Sequence, residues 1–336
     1  PHGRLADRFG QARVLSVDAV VFGFTTGLLV VSVSRGWPSP APHALAVVAG
    51  AALPQVGAMV RARWSALVDD PVKLHTAYAA ESVADEVVFV VGPALVTFLS
   101  TLAFPELGLL VTMAVGSLGP LALAAQRGTQ PPVAARGHRR DVARMPWGRL
   151  VPLAVVATCM GGMFGAMEVA TVAFAEDAGR KAASGAILAV LSVGSLLAGV
   201  VAGGRVWRLS LPRRLRGGVG LLTVGFVGVP LVTGLWMLGA AMFATGMAIA
   251  PTLIALFSLV QEHTPGGRLT EAMGLISTGI SAGLAPGTYF AGVVADAHGG
   301  ANAFWVCTVA AALALAATWA CGDAPGDDRT PATVTA

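Results

Sequence analysis

Several carboxylates of this chain stand where carboxylates are expensive. The run Tyr78-Ala79-Ala80-Glu81-Ser82-Val83-Ala84-Asp85-Glu86 opens an otherwise apolar stretch. Glu81 and Asp85 are four apart, so a helix puts both on one face. At 1.5 Å per residue, Asp85 lies about 12 Å beyond a helix start at Ala77. An unpaired charge at that depth in hydrocarbon is costly, and acids so placed by default serve a substrate or proton site facing a bundle interior or a wet cavity. Ion pairing with Arg8, Arg13, Arg61 or Arg63 is the other use. Pairing is the favoured reading for Glu81, and the two readings stand level for Asp85. Glu168, in Gly165-Ala166-Met167-Glu168-Val169-Ala170, has no basic residue within a helical turn. It is a candidate for cation or proton binding, against the plainer reading that it reaches the outer interface near Glu176 and Asp177. Asp18 and Asp296 read as interfacial. Met160, Met163 and Met167 are candidates to line an adaptable cavity.

Other chemistries lack their residues. There is no GxxxxGK[ST] phosphate loop, no HExxH, no GxSxG and no clustered His/Asp set, so neither a nucleotide site nor an enzyme is signalled. Cys159, Cys307 and Cys321 have no CxxC or CxxH spacing, so no metal site and no disulfide framework is expected. No cofactor is called for.

The elements that must position these acids are apolar helices. Hydrophobic residues make up 55% of the chain and charged residues 12%, against roughly 25% charged in a soluble domain. Mean hydropathy is +0.73. A span needs about 20 apolar residues, and ten candidates lie at 14–34, 43–61, 77–102, 106–125, 150–174, 183–204, 217–234, 236–260, 271–295 and 302–321. The third contains Gly92-Pro93, which would free a carbonyl and bend the helix. In the ninth, Gly279, Gly283 and Gly287 recur every four residues as a ridge for close helix approach.

Cations alternate with the spans. With the N-terminal segment taken as cytoplasmic, all Lys and Arg except Arg35, Arg180 and Lys181 fall on that side, as the positive-inside rule requires. The basic charge is therefore topology, and no nucleic-acid partner is expected. The partners implied are the lipid bilayer and a small-molecule substrate, with protons as a possible third. Gln126 to Arg149 carries six arginines with Pro131, Pro132 and Gly137 and reads as a cytoplasmic linker. The expected organisation is 1–125 with four spans, linker 126–149, 150–322 with six spans, and a cytoplasmic tail 323–336. Parallel six-helix halves are a known transporter plan, so two spans are expected ahead of Pro1. Gly3-x4-Arg8 is echoed by Gly203-x4-Arg208, with Trp207 where Asp7 stands.

Gly3-Arg4-Leu5-Ala6-Asp7-Arg8-Phe9-Gly10, directly before a span, resembles the loop motif G-x-L-a-D-r-x-G-r-k of the major facilitator superfamily. Gln11 and Ala12 depart from its basic pair, and Arg13 keeps one cation nearby. The resemblance implies an all-helical, polytopic, two-half bundle with ten of twelve helices present, in a cell membrane with the C-terminus cytoplasmic; the abundance of Ala, Val, Gly and Arg with only two lysines reads as a high-GC bacterial gene. It implies alternating access, with Gly3, Asp7, Arg8, Gly10 and Arg13 at the cytoplasmic gate. There Asp7 can face the positive N-terminal end of a neighbouring helix, while Arg8 and Arg13 pair with acids. The family's mid-helix arginine is missing from Ala44–Val60, since Arg61 and Arg63 come only at that span's end. The apolar walls favour export of a hydrophobic or amphipathic solute by proton antiport. Solute uptake, or a non-transporting sensor or scaffold that keeps the fold, is the alternative.

Overall fold

The computed structural model describes residues 2–102, 104, 106–131, 145–205, 207, 209–265 and 268–321. The described residues form helices and turns with no strand among them. They cluster into two compact units: Pro1–Met145 with Thr264–Thr278, and Pro146–His263 with Gly279–Ala336.

The first unit begins with α1 (His2–Phe9) and α2 (Gln11–Ser34). Gly10 separates them at φ 91°, a left-handed backbone value that glycine adopts without Cβ strain. The span expected at 43–61 is two helices, α3 (Pro40–Ala51) and α4 (Val56–Leu67). Pro54 accounts for the break, because it lacks an N–H and turns the preceding residue away from helical geometry. The rod therefore ends at Leu67, and Arg61 and Arg63 lie inside it. This corrects their expected place at the end of a span closing near Val60. Arg61 and Arg63 are each 4% exposed, which a low-dielectric site tolerates only with partners.

α5 (Pro71–Leu102) and α6 (Leu107–Ala125) follow, then a 3-10 turn at Arg127–Thr129. α5 continues as helix through Gly92 and Pro93. The side chains of Glu86 and Pro93 lie outside the described residues. α2 packs along α6 and α3, and α5 packs on α6 and α4. Ala6, Val14, Leu15, Met59 and Ala124 form a small apolar core where α1, α2, α4 and α6 meet. Between lipid-facing helices such contacts stabilise through packing, since tails are as apolar as the side chains.

The second unit holds α7 (Trp147–Asp177), α8 (Ala183–Gly204), α9 (Leu211–Gly228), α10 (Leu235–Gly246) and α11 (Ile249–His263). It also holds most of α12 (Leu269–His298) and α13 (Gly300–Trp319). The span expected at 236–260 is again split, at Met247–Ala248. α7 runs along α13. Against α12 it comes close enough that a Cβ on Gly161 would meet Ile280 O, one on Gly283 would meet Thr158 O, and one on Gly287 would meet Gly162 O. The glycine ridge of the ninth span is thus the α7–α12 contact surface. Met160, Met163 and Met167 are at most 1% exposed and pack in this unit's core.

Among the described residues, seven stretches are long and apolar enough to cross a membrane, with α3–α4 and α10–α11 each counting as one.

Candidate functional site

In the first unit α1 lies against the start of α12. Asp7 Oδ2 accepts the Glu271 backbone N–H at 2.8 Å, and the Thr270 side chain also hydrogen-bonds to the carboxylate. Thr270 and Glu271 belong to the opening turn of α12, whose N–H groups have no partner within the helix. Asp7 therefore acts as a cap supplied by another helix, at the positive end of the dipole. Burial raises its pKa from 3.8 to about 6, while the hydrogen bonds from Thr270 and Glu271 pull the other way. Gly3 makes this approach possible, because a Cβ there would lie 2.5 Å from Thr270 O.

The motif's arginines behave differently from the expectation. Arg8 stacks over the Phe9 ring at 4.8 Å, and Arg13 lines an open cleft. Both are exposed, and among the described residues neither pairs with a carboxylate. Gln11, the departure from the motif's basic pair, is 2% exposed. Its Nε2 donates to Met59 O at 3.2 Å and to Thr270 Oγ1 at 3.4 Å. Its Oε1 accepts from Arg63 Nε at 2.8 Å. Arg63 also donates to Gln126 O (2.9 Å), Thr129 Oγ1 (2.7 Å) and Leu123 O (3.0 Å). This Gln11–Arg63 hub ties α2, α4 and the end of α6 together.

The α5 acids are held by α4. Arg61 Nη2 donates to Asp85 Oδ2 at 2.5 Å, and Trp64 Nε1 donates to Glu81 Oε1 at 3.3 Å. Gly57, one turn before Arg61, leaves the room its guanidinium needs, since a Cβ there would sit 2.9 Å from Arg61 Nη1. The pair is asymmetric: the Arg61 side chain is 5% exposed and that of Asp85 57%. Asp85 thus combines a buried cationic partner with access from outside the helix pair, and the exposed large hydrophobics near it on α5 include Val87, Val88 and Val91. Asp18, expected at an interface, is instead buried at 8% exposure and 2.7 Å from His2 Nδ1. The first-turn position of His2 on α1 makes that contact possible.

In the second unit Glu168 is exposed on α7, with no hydrogen bond or ion pair among the described residues. Asp177 Oδ2 accepts the Gly300 N–H at 2.6 Å, capping α13 as Asp7 caps α12. Asp296 is exposed. Trp207 donates to Ala202 O and lies under Arg205 and Arg214. Arg208 is outside the described residues. Among the described residues no cluster of His, Cys, Asp and Glu could hold a metal ion.

A sequence model of the Major Facilitator Superfamily matches residues 1–268 and 169–335. No curated protein matches significantly in sequence. Among solved structures, the chain is similar to the human organic anion transporter MFSD10 (TETRAN), with TM-score 0.73 at 16% identity, covering 96% of this chain and 79% of that one. It is similar to the E. coli fucose:proton symporter FucP, with TM-score 0.66 at 12% identity, covering 96% and 87%. It is also similar to the proton:xylose symporter XylE, with TM-score 0.66 at 15% identity, covering 95% and 82%.

Proposed function

The chain belongs to the major facilitator superfamily, a family of multi-pass membrane transporters and not of enzymes, and from that premise we propose that it exports a small hydrophobic or amphipathic solute by proton antiport. The observation that carries the reading is the Arg61–Asp85 pair. A buried guanidinium pairs with a carboxylate that remains reachable from outside the helix pair. Protonation of Asp85 would break the pair, and its return to the charged form would restore it, so proton uptake and release are linked to a local rearrangement of α4 against α5. A solute reaching Asp85 meets aliphatic side chains, which suits an apolar or cationic amphiphile better than a sugar. Glu168 is a second exchangeable carboxylate, exposed and without an ion-pair partner among the described residues.

The N-terminal segment, the linker and the C-terminus would face the cytoplasm, following the distribution of cations. Asp7, Gly3 and Gly10 would then belong to the cytoplasmic gate, whose closure the Asp7 cap on α12 would stabilise.

The test is cellular retention of lipophilic cationic and neutral dyes, with and without a protonophore, for the wild type, Asp85→Asn and Glu168→Gln. Lower retention in the wild type, abolished by the protonophore and by Asp85→Asn, is the expected result. Retention equal in the wild type and in cells lacking the protein would overturn export. Uptake is the second reading, supported by the names of FucP and XylE as proton symporters. It predicts protonophore-sensitive accumulation of a labelled solute, with the same dependence on Asp85.

A further inference from the structure

Where the start of α2 meets the end of α6, the first unit has a cleft of about 580 Å³ that the transport reading does not use. Its lining includes Arg13, Arg127 and Gln130 together with Phe9, Val17 and Leu121. Among the described residues no carboxylate lines it. Arg13 and Arg127 are both exposed, and neither makes an ion pair or hydrogen bond among the described residues. Gln130 Oε1 is already occupied, accepting the Ala12 N–H at 2.9 Å, so the amide group left over is its NH2 donor. The polar lining therefore offers two guanidinium forks and an amide donor. The N-terminal dipole end of α2 adds partial positive charge at the same place.

Such a donor-only set suits an anion with several oxygens, and guanidinium forks match phosphate geometry in particular. The neighbouring apolar lining then selects the kind of phosphate. Val17 is 57% exposed and Phe9 41%, an arrangement that suits acyl or glycerol carbons better than a fully hydrated ion. The cleft lies at the ends of two helices that are long and apolar enough to span a bilayer, and lipid headgroups sit at that level. A zwitterionic headgroup would also bring an ammonium, for which the cleft has neither a carboxylate nor a free ring, since Phe9 already lies beneath Arg8.

We propose that this cleft holds the phosphodiester headgroup of an anionic phospholipid between Arg13 and Arg127. The site does not depend on whether the chain moves a solute, nor on the direction of movement.

The test is native mass spectrometry of the full chain in neutral detergent, titrated with dioleoyl-phosphatidylglycerol or dioleoyl-phosphatidylcholine, with inorganic phosphate as competitor. One phosphatidylglycerol should bind more tightly than phosphatidylcholine. The double variant R13Q/R127Q should weaken it by roughly tenfold or more, as expected for two interfacial arginines. V17W keeps both charges and fills the cleft, and should weaken it as well. R35Q, far from the cleft in sequence, should leave it unchanged. Melting in phosphatidylcholine alone should be the same for all variants. Equal phosphatidylglycerol affinity in the wild type, R13Q/R127Q and V17W would overturn the proposal. So would a comparable loss in R35Q, which would mean a general charge effect. Displacement of the lipid by inorganic phosphate at matching concentration would also overturn it, in favour of a free-phosphate site.

Discussion

Arg63 in the first unit reaches acceptors on Gln11, Leu123, Gln126 and Thr129, whereas in the second unit α7 is held to α12 by glycines laid against carbonyls at Thr158, Gly162 and Ile280. Each solution has its own physics. A buried cation in a low-dielectric setting must satisfy its donors, so it selects one arrangement of the elements around it and carries a penalty when any acceptor moves. A glycine ridge has no polar requirement and gains from the closeness of two backbones. The first unit therefore concentrates groups that can change charge state or partner, and the second concentrates rigid contact. The intramembrane pair Arg61–Asp85 belongs to the first kind of unit, and exposed Glu168 is the exception in the second.

The largest effect should come from breaking the second kind of contact. Gly283→Ala puts a methyl against Thr158 O and forces α12 from α7, at a cost of roughly 2–3 kcal/mol. Gly185→Ala on α8, where no atom lies within 4 Å of the added carbon, should instead stabilise by up to about 1 kcal/mol through helix propensity. Thermal unfolding in detergent checks the sign of each. A similar change for both would remove close approach as the explanation.

Charge removal in the first unit should rank next. Asp85→Ala strips buried Arg61 of its carboxylate and should cost about 2 kcal/mol. Arg61→Gln leaves behind a carboxylate that still reaches solvent, and should cost about half as much. The reverse order in unfolding measurements would mean that Asp85 is more enclosed than Arg61.

A further effect is a pH dependence carried by Asp7. Its folded pKa, about 6, lies above the 3.8 of an unhindered carboxyl, so between those values the folded state binds a proton that the unfolded state has lost. Stability from this group is present below about pH 4 and is lost as pH rises through about 6. Nearby Glu271 adds to the upward shift. The melting temperature should rise between about pH 7 and about pH 5 in the wild type, and rise less in Asp7→Asn. Parallel slopes would exclude Asp7 as the titrating group.

Hydropathy alone located the spans, because the length of hydrocarbon crossed dictates the length of apolar sequence. Their ends shifted, as at α4 and α5, where helix continues past the apolar stretch into residues the periodicity counts as polar. Pro54 is visible, but the residues on both sides remain apolar, so hydropathy runs through the break. The placement of Asp85 beside Arg61 was among the pairings that charge made plausible. The Gln11–Arg63 hub was not legible. It joins residues 52 apart through a neutral amide, and nothing in local composition marks an amide that will be buried. The cap of Asp7 on α12 had a physical rationale in the motif, but which helix would receive it depended on tertiary arrangement.

That cap joins residues 264 positions apart, which bears on how the chain is made. At a synthesis rate of roughly 5–20 residues per second, Asp7 leaves the ribosome on the order of tens of seconds before Glu271 exists. For that interval the first unit lacks the opening turn of α12 and the acceptor for Gln11 on Thr270. The first half to be translated is therefore not the first to be finished, and its last hydrogen bonds wait for one of the final helices.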